Sequence, residues 1–497
     1  MPDLVERTVD VVVIGAGPAG ENVADRAVQG GLTVAIVEQE LVGGECSYWA
    51  CMPTKALLRS GSALRAARQV AGARDAITRS LDVAAVLARR DAFASEWKDA
   101  GQVEWLRGAG IELVRGRARL DGARRVEVVS DDGTRATLLT ARHAVVVATG
   151  TSALVPPIRG LADAAPWTSR EAASVTTVPD TLAIIGGGVV ATEMAQVFSN
   201  LGSAVTLLAR DGVLPAAEPF AGERVTASLE AAGVRVHLGD EVVAARREDG
   251  QVVLTTDGDL GEVVADEVLV AVGRTPNTRD LGLRSVGLED GGWLRVDETL
   301  RVLDASGAVL DDGWLYAVGD VNARALVTHQ GKYQARAAGD AIVVRASGGL
   351  VDDEPWGWHA ATADHRAVPQ VVFTDPEVAS VGLTAAAAEA AGHRIRVVDH
   401  DLGAVAGAAL HADGYDGHAR LVVDVDRDVV LGATFVGQDV AELVHAATLA
   451  VVSEIPISRL WHVVPAFPTL SEVWLRLLET YGRTTSQVSL TPSRGMA

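Results

Sequence analysis

Cys46 and Cys51 are the only cysteines in the chain, and both lie in one segment, GGECSYWACMPTK. Four residues between two thiols can coil into a helical turn, so the sulfurs meet on one side of it and switch between dithiol and disulfide with little backbone motion. A thiolate near a helix start is stabilised by the helix dipole, which raises its reactive fraction. Zinc is excluded by ligand supply, because two thiols need histidine partners and none lies within about ninety residues on either side. One tiny disulfide loop adds little to the stability of a chain this size, so the pair reads as catalytic. Lys55 stands one helical turn beyond Cys51, in a chain with only three lysines, Lys55, Lys98 and Lys332.

A redox pair needs an electron source, and two stretches have the pattern of a dinucleotide site. VERTVDVVVIGAGPAGENVADRAVQGGLTVAIVEQE reads as strand, glycine turn, helix and second strand. Gly15, Gly17 and Gly20 have the spacing that lets backbone approach a pyrophosphate at a helix N-terminus, and Glu38 stands where a carboxylate accepts from ribose hydroxyls. TLAIIGGGVVATEMAQVFSNLGSAVTLLAR repeats the pattern with Gly186, Gly188 and Ala191. Its second strand ends in Arg210 where the first ended in an acid, which points to a ribose 2′-phosphate and so to NADPH, with NADH possible because Asp211 is adjacent. Two such units imply two dinucleotides, one bound permanently and one exchanging.

The 497 residues are enough for about three domains, and 48% hydrophobic with 22% charged residues is the balance of a globular protein. A net charge of -21 repels phosphate backbones and anionic lipid, so the expected partner is a small-molecule acceptor, not nucleic acid or a membrane. The opening MPDLVERTVD lacks the basic and apolar regions of a signal peptide, and no run reaches membrane-span length, so a cytoplasmic enzyme is expected. The fold class expected is α/β, with two Rossmann-like domains and a C-terminal α+β domain. The boundaries are 1–155 and 276–350 for the two parts of the first domain, 156–275 for the second and 351–497 for the third. Residues 346–362, rich in glycine, acid and tryptophan, read as a long surface loop, and the polar end GRTTSQVSLTPSRGMA reads as frayed.

The motifs GAGPAG, GGECSYWACMPTK, ATG, GGGVVATEMA, VAVGRTPN, AVGDV, VFTDPEVASVGLT and FPTLSE follow one another in an order that resembles the pyridine nucleotide-disulfide oxidoreductases. This is the flavoprotein family of dihydrolipoamide dehydrogenase, glutathione reductase and mercuric reductase. The resemblance implies FAD in the first unit, a nicotinamide cofactor in the second, and a homodimer through the C-terminal domain. It assigns Gly15, Gly17, Ala19, Gly20, Glu38, Gly44, Thr149, Gly150, Gly319 and Asp320 to the flavin. It assigns Gly186, Gly188, Ala191, Arg210, Gly273 and Arg274 to the nicotinamide site or the crossing between the sites. Cys51 matches the thiol next to the flavin, Cys46 the outer thiol that attacks the acceptor, and Lys55 the lysine that pairs with a glutamate, here Glu193, near the flavin.

The pattern also breaks. Phe467 stands where the family's disulfide reductases have a histidine, while Pro468, Thr469 and the orienting glutamate, Glu472, remain. Phenylalanine moves no proton, a loss typically worth about 10² to 10⁴ in rate. His462, five residues earlier, is an alternative donor or a packed side chain. SRGMA at the end lacks the cysteine pair of mercuric reductase. Tyr48 and Trp49, with Trp461, Phe467 and Trp474, form either an apolar acceptor pocket or ordinary packing. Val189 replaces a tyrosine that closes over the nicotinamide in some members. The expectation is an FAD-dependent oxidoreductase passing hydride from NAD(P)H to the Cys46–Cys51 disulfide and on to a disulfide or soft electrophile. The alternative is a quinone reductase, diaphorase or transhydrogenase that does not need the cysteines.

Overall fold

The run Val11 to Ile14 is apolar on both faces and fully enclosed, as a central parallel strand requires. In the computed structural model, which describes residues 3–130 and 132–482, it closes strand β1 (Asp3–Ile14). Strand β2 (Val34–Glu38) is buried along its whole length and pairs with β1 in parallel, Val11 opposite Val34. Between them lies helix α1 (Pro18–Gln29). Proline at its start needs no N–H partner, and Gly20, Val23, Ala24 and Ala27 form the face turned to the sheet. Short helix α2 (Gly44–Tyr48) and helix α3 (Cys51–Arg68) follow.

Strands β3 (Glu112–Arg115), β4 (Arg117–Leu120), β5 (Arg125–Val129) and β6 (Arg135–Val147) complete a sheet in the order β3-β2-β1-β6-β5-β4. After helix α4 (Ser169–Ala173) comes a second parallel sheet. It contains β7 (Thr181–Ile185), β8 (Ala204–Ala209), β9 (Arg235–Leu238) and β10 (Glu267–Val270) in the order β9-β8-β7-β10, with helix α5 (Val189–Leu201) between β7 and β8. The chain then returns to the first sheet: β11 (Leu315–Ala317) pairs in parallel with β6, and helix α6 (Thr328–Ala346) packs on α1. The first nucleotide unit is thus assembled from two distant stretches.

The chain divides into two compact units, Met1–Arg65 with Thr78–Val368, and Ala66–Ile77 with Pro369–Ala497. Residues 351–368 therefore belong with the first unit. The segment expected as a surface loop exposes Leu350 and Trp358, but His359, Ala360, Ala361 and Thr362 are buried. His359 Nδ1 accepts the Asp352 N–H, and Tyr333 donates to Ala360 O, so the loop's polar groups are satisfied internally. The second unit holds a five-stranded antiparallel sheet whose central strand, Val429–Gly437, is buried throughout. Helix α7 (Val473–Tyr481) packs on it. The polar segment 483–497, read as frayed, lies outside the described residues. Among the described residues no helix is long and apolar enough to cross a membrane.

Candidate redox site and its nucleotide clefts

Cys46 sits in α2 and Cys51 opens α3, so the turn between the helices brings the two thiols into mutual hydrogen-bond contact. The pair is electrostatically unequal. The hydrogen bond from Cys46, opposed by burial and helped by Thr328 and Lys55, pulls the Cys51 thiol down to about 6. The same hydrogen bond and burial hold Cys46 well above an ordinary thiol. The environment thus favours the thiolate form on Cys51 over Cys46. Thr328 Oγ1, at the start of α6, lies 3.4 Å from Cys51 Sγ. Lys55 follows Cys51 by four residues on the same face of α3, and its Nζ is 2.8 Å from Oε2 of Glu193, a residue of α5 only 2% exposed.

A brace holds the redox turn. Arg170 of α4 binds Glu45 through Nε at 2.5 Å and both oxygens of Glu40 at 3.0 Å, with its guanidinium 4.1 Å from the Trp49 ring centroid. Tyr48 is wholly buried and donates to Val42 O at 3.0 Å, and Trp474 packs on Phe435. Each of these two aromatics packs inside its own unit.

Beside the thiols, the first cleft is lined by Gly15, Gly17, Ala19, Glu38, Gly44, Thr149, Gly150, Gly319 and Asp320. It continues into a cavity of about 600 Å³ over Glu38, Glu40 and Arg170. Two of its glycines are sterically required: Gly15 has φ +100°, and a Cβ on Gly20 would stand 1.9 Å from Gly15 O. Glu38 accepts the Ala16 N–H on one oxygen and the Glu40 N–H on the other, each at 2.8 Å, and burial pushes its carboxyl up despite them. Asp320 accepts from Thr151 at 2.8 Å, and Arg274 donates to the Thr151 carbonyl at 2.7 Å. Thr149 leaves a buried hydroxyl without a hydrogen-bond partner among the described residues.

The second cleft, about 710 Å³, is lined by Gly186, Gly188, Val189, Arg210, Gly273 and Arg274. Ala191 lies behind it, fully buried in α5. Val189 is 39% exposed at the cleft mouth. Arg210 is not a free cation: it donates to both Asp211 oxygens at 3.1 and 2.9 Å and to Glu241 at 3.2 Å. Asp240 lines the same corner, giving three carboxylates to one guanidinium.

In the second unit Phe467 is 74% exposed, flanked by exposed Val463 and Val464. Glu472 keeps its buried place, but its partner is Arg476, 2.6 Å from Oε1, and Oε2 is buried with no hydrogen bond among the described residues. The buried carboxylate is thus paired with an arginine of its own helix turn.

The sequence pattern of the family described as "Pyridine nucleotide-disulphide oxidoreductase" matches residues 9–341, and that of its dimerisation domain matches residues 368–477. The chain belongs to this family. It is an FAD-dependent pyridine nucleotide-disulfide oxidoreductase, and its dimerisation domain supports a homodimer. It is 32% identical to a dihydrolipoyl dehydrogenase of Haloferax volcanii over 95% of both chains. It is 33% identical to a mercuric reductase of Acidithiobacillus ferrooxidans over 96% of this chain and 84% of the relative. Those two values do not separate the activities. Two solved structures share the fold: the HOCl-induced flavoprotein disulfide reductase RclA from Escherichia coli and LpdA from Mycobacterium tuberculosis. RclA has TM-score 0.79 and 24% identity, over 95% of this chain and 99% of the other. LpdA has TM-score 0.78 and 25% identity, over the same shares.

The first cleft fits the family's flavin. The glycine turn leaves room for a pyrophosphate, Glu38 offers a fixed carboxylate, and the Thr149 hydroxyl awaits a partner. When bound there, FAD accepts hydride and passes electrons on to sulfur. The motifs did not reveal Thr328, Arg170 or Glu241. Each acts through a contact with a residue far away in sequence, and none has a composition signal.

Proposed function

We propose that this oxidoreductase carries reducing equivalents from NADH through FAD to the Cys46–Cys51 pair, and that Cys46 attacks a disulfide or another soft electrophile. What supports this reading is the placement of the pair: Cys46 and Cys51 in hydrogen-bond contact, Thr328 3.4 Å from Cys51, and the Lys55–Glu193 ion pair adjacent. Cys51 is the resident thiolate, held by Thr328 and Lys55. Cys46, once deprotonated, is the sulfur that attacks the acceptor to form a mixed disulfide.

NADH is preferred in this reading because Arg210 is already neutralised. A 2′-phosphate brought to this corner meets Asp211, Asp240 and Glu241, whereas a 2′-hydroxyl can donate to one of them. Of the roles assigned above, Glu38, Asp320 and Thr149 hold FAD and Arg274 braces the Asp320 turn. Glu472 has no proton-relay role here.

The test is anaerobic titration with NADH and NADPH, followed by acceptor screening of the wild type and Cys46→Ser. Four-electron uptake with a long-wavelength charge-transfer band is the expected signature of the working pair. Alkylation of Cys51 in the reduced enzyme should rise through pH 6 and level off by about pH 7, where an ordinary thiol is still gaining reactivity. Cys46→Ala, which removes the main stabilising hydrogen bond, should move that plateau upward. Disulfide turnover that survives Cys46→Ser intact rejects the outer-thiol role and leaves a flavin that reduces its acceptor directly.

A further inference from the structure

Asp364 is a buried acid to which the redox chemistry gives no task. Its side chain is fully buried, and an acid so placed is costly unless its oxygens are hydrogen-bonded and its charge is matched. It stands on a four-residue helix, Ala363–Arg366, just beyond the segment 346–362 that read as a surface loop.

The matching charge is Arg324, whose Nη1 lies 3.7 Å from Asp364 Oδ2 while Nη2 binds Glu298 at 2.9 Å. The hydrogen bond comes from Gln334 of α6, itself wholly buried, whose Nε2 donates to Asp364 Oδ2 at 2.9 Å. The neighbouring Tyr333 stitches the same stretch to α6. Its hydroxyl donates to Ala360 O at 3.1 Å and accepts the Ala363 N–H at 3.4 Å. Two consecutive residues of α6 therefore hold the stretch 360–364.

Gln334 passes this contact on to the first cleft. Its Oε1 accepts two donors, the Gly319 N–H at 2.8 Å and Asn322 Nδ2 at 2.9 Å. An amide whose nitrogen donates to a carboxylate has only its oxygen left for the other side, so Asp364 fixes which end of Gln334 meets Gly319. Asn322 Nδ2 also donates to Ala317 O at 3.1 Å, which closes the turn between β11 and α6. Gly319 has little slack within that turn. Its φ is +77°, a Cβ on it would lie 3.1 Å from the Ala19 side chain of α1, and a Cβ on Gly331 of α6 would lie 3.2 Å from its Cα. The next residue is Asp320, whose carboxylate accepts from Thr151 and lines the first cleft.

We propose that Asp364 is a positioning residue of the flavin cleft: acting through Gln334, it sets the Gly319–Asp320 turn in the conformation that receives FAD. The proposal rests on the reading that Asp320 holds FAD. Asp364 does not line the cleft, so it acts at one remove. It makes Gln334 present an acceptor to the Gly319 N–H. With the amide turned the other way, two donors would face each other and drive the turn from α6. The stretch 360–364, far in sequence from the glycine motifs, is thereby part of the cofactor site.

The test measures FAD affinity by equilibrium dialysis of the holoenzyme with flavin absorbance, and amide hydrogen exchange of the peptide carrying Gly319 in the flavin-free protein. Asp364→Leu leaves the Gln334 amide without its acceptor. It should weaken FAD binding about tenfold to a hundredfold and speed exchange at Gly319. Asp364→Asn keeps an acceptor oxygen for Gln334 and should bind FAD within about threefold of wild type. In an Asp320→Ala background, where the turn has already lost its contact with the cofactor, Asp364→Leu should weaken binding by less than about threefold more. Unchanged FAD affinity in Asp364→Leu, an Asp364→Asn variant as weak as Asp364→Leu, or the full loss repeated on top of Asp320→Ala overturns the proposal. If Asp364→Leu does not fold, Gln334→Met decides in its place, and wild-type FAD affinity there overturns it. FAD affinity untouched by Asp320→Ala alone rejects the underlying reading of Asp320 instead, so the two failures are distinguishable.

Discussion

Glu38 and Arg210 occupy equivalent corners of two similar βαβ units, each at or just past the end of the second strand, and their surroundings are opposite. Glu38 is buried, with each carboxylate oxygen committed to a backbone N–H of the loops that wrap it. Arg210 has a side chain 57% exposed, and exposed carboxylates pair with it. The first corner is part of the fold and the second is an adjustable surface. The contrast teaches that one strand–turn–helix pattern serves retention when its polar anchor is tied to backbone, and exchange when that anchor is tied to mobile side chains. The glycine turns follow suit. Gly20 is locked against Gly15 O, whereas the equivalent residue of the second unit is Ala191, whose methyl the packing accepts.

The most severe way to break this contrast is Gly20→Ala, since the new methyl must displace backbone. We expect about 3 kcal/mol of destabilisation and loss of bound flavin, measured by thermal unfolding and flavin absorbance. Ala191→Gly in the other unit should cost only about 1 kcal/mol, the ordinary helix penalty. Next in size is Glu38→Gln, because one amide oxygen replaces two acceptors and the amide N–H₂ then faces a backbone N–H. Loss of a charge-assisted contact of about 1.5–3 kcal/mol predicts FAD binding weakened tenfold to a hundredfold, read by flavin release on dilution. Asp211→Ala with Glu241→Ala frees Arg210 and should raise the NADPH-to-NADH ratio of kcat/KM about tenfold, or 1.4 kcal/mol. An unchanged ratio would mean that the corner does not read the 2′-position. Val189→Tyr, the mildest change, should narrow the exposed cleft mouth and lower quinone or oxygen leakage a few-fold, about 1 kcal/mol or less, without altering flavin content.

Much of this corner chemistry was legible because it is local. Gly15, Gly17, Gly20 and Glu38 lie within one βαβ unit, and their spacing is itself the signal. Cys51 and Lys55 are one turn apart on α3, so their shared face follows from helical geometry, whereas Cys46 reaches Cys51 across the break between α2 and α3. The Lys55–Glu193 contact came from resemblance, since nothing in spacing links residues 138 apart. The nucleotide preference read from Arg210 could not take in Glu241, which reaches it from another loop. Tyr48 and Trp474 suggested a ligand surface because aromatic residues near a motif look alike whether they face outward or inward. The 346–362 segment read as a surface loop by composition, and its burial at His359–Thr362 and its internal Asp352–His359 contact carry no composition signal.

Arg170 grips Glu40 and Glu45 with one guanidinium and roofs Trp49 with its face. The residue preceding Cys46 is therefore moored to the rim of the adjoining cleft before any ligand arrives. With that slack removed, opening and closing of the sulfur bond falls to rotation about side-chain torsions, and the backbone can stay still through each catalytic cycle.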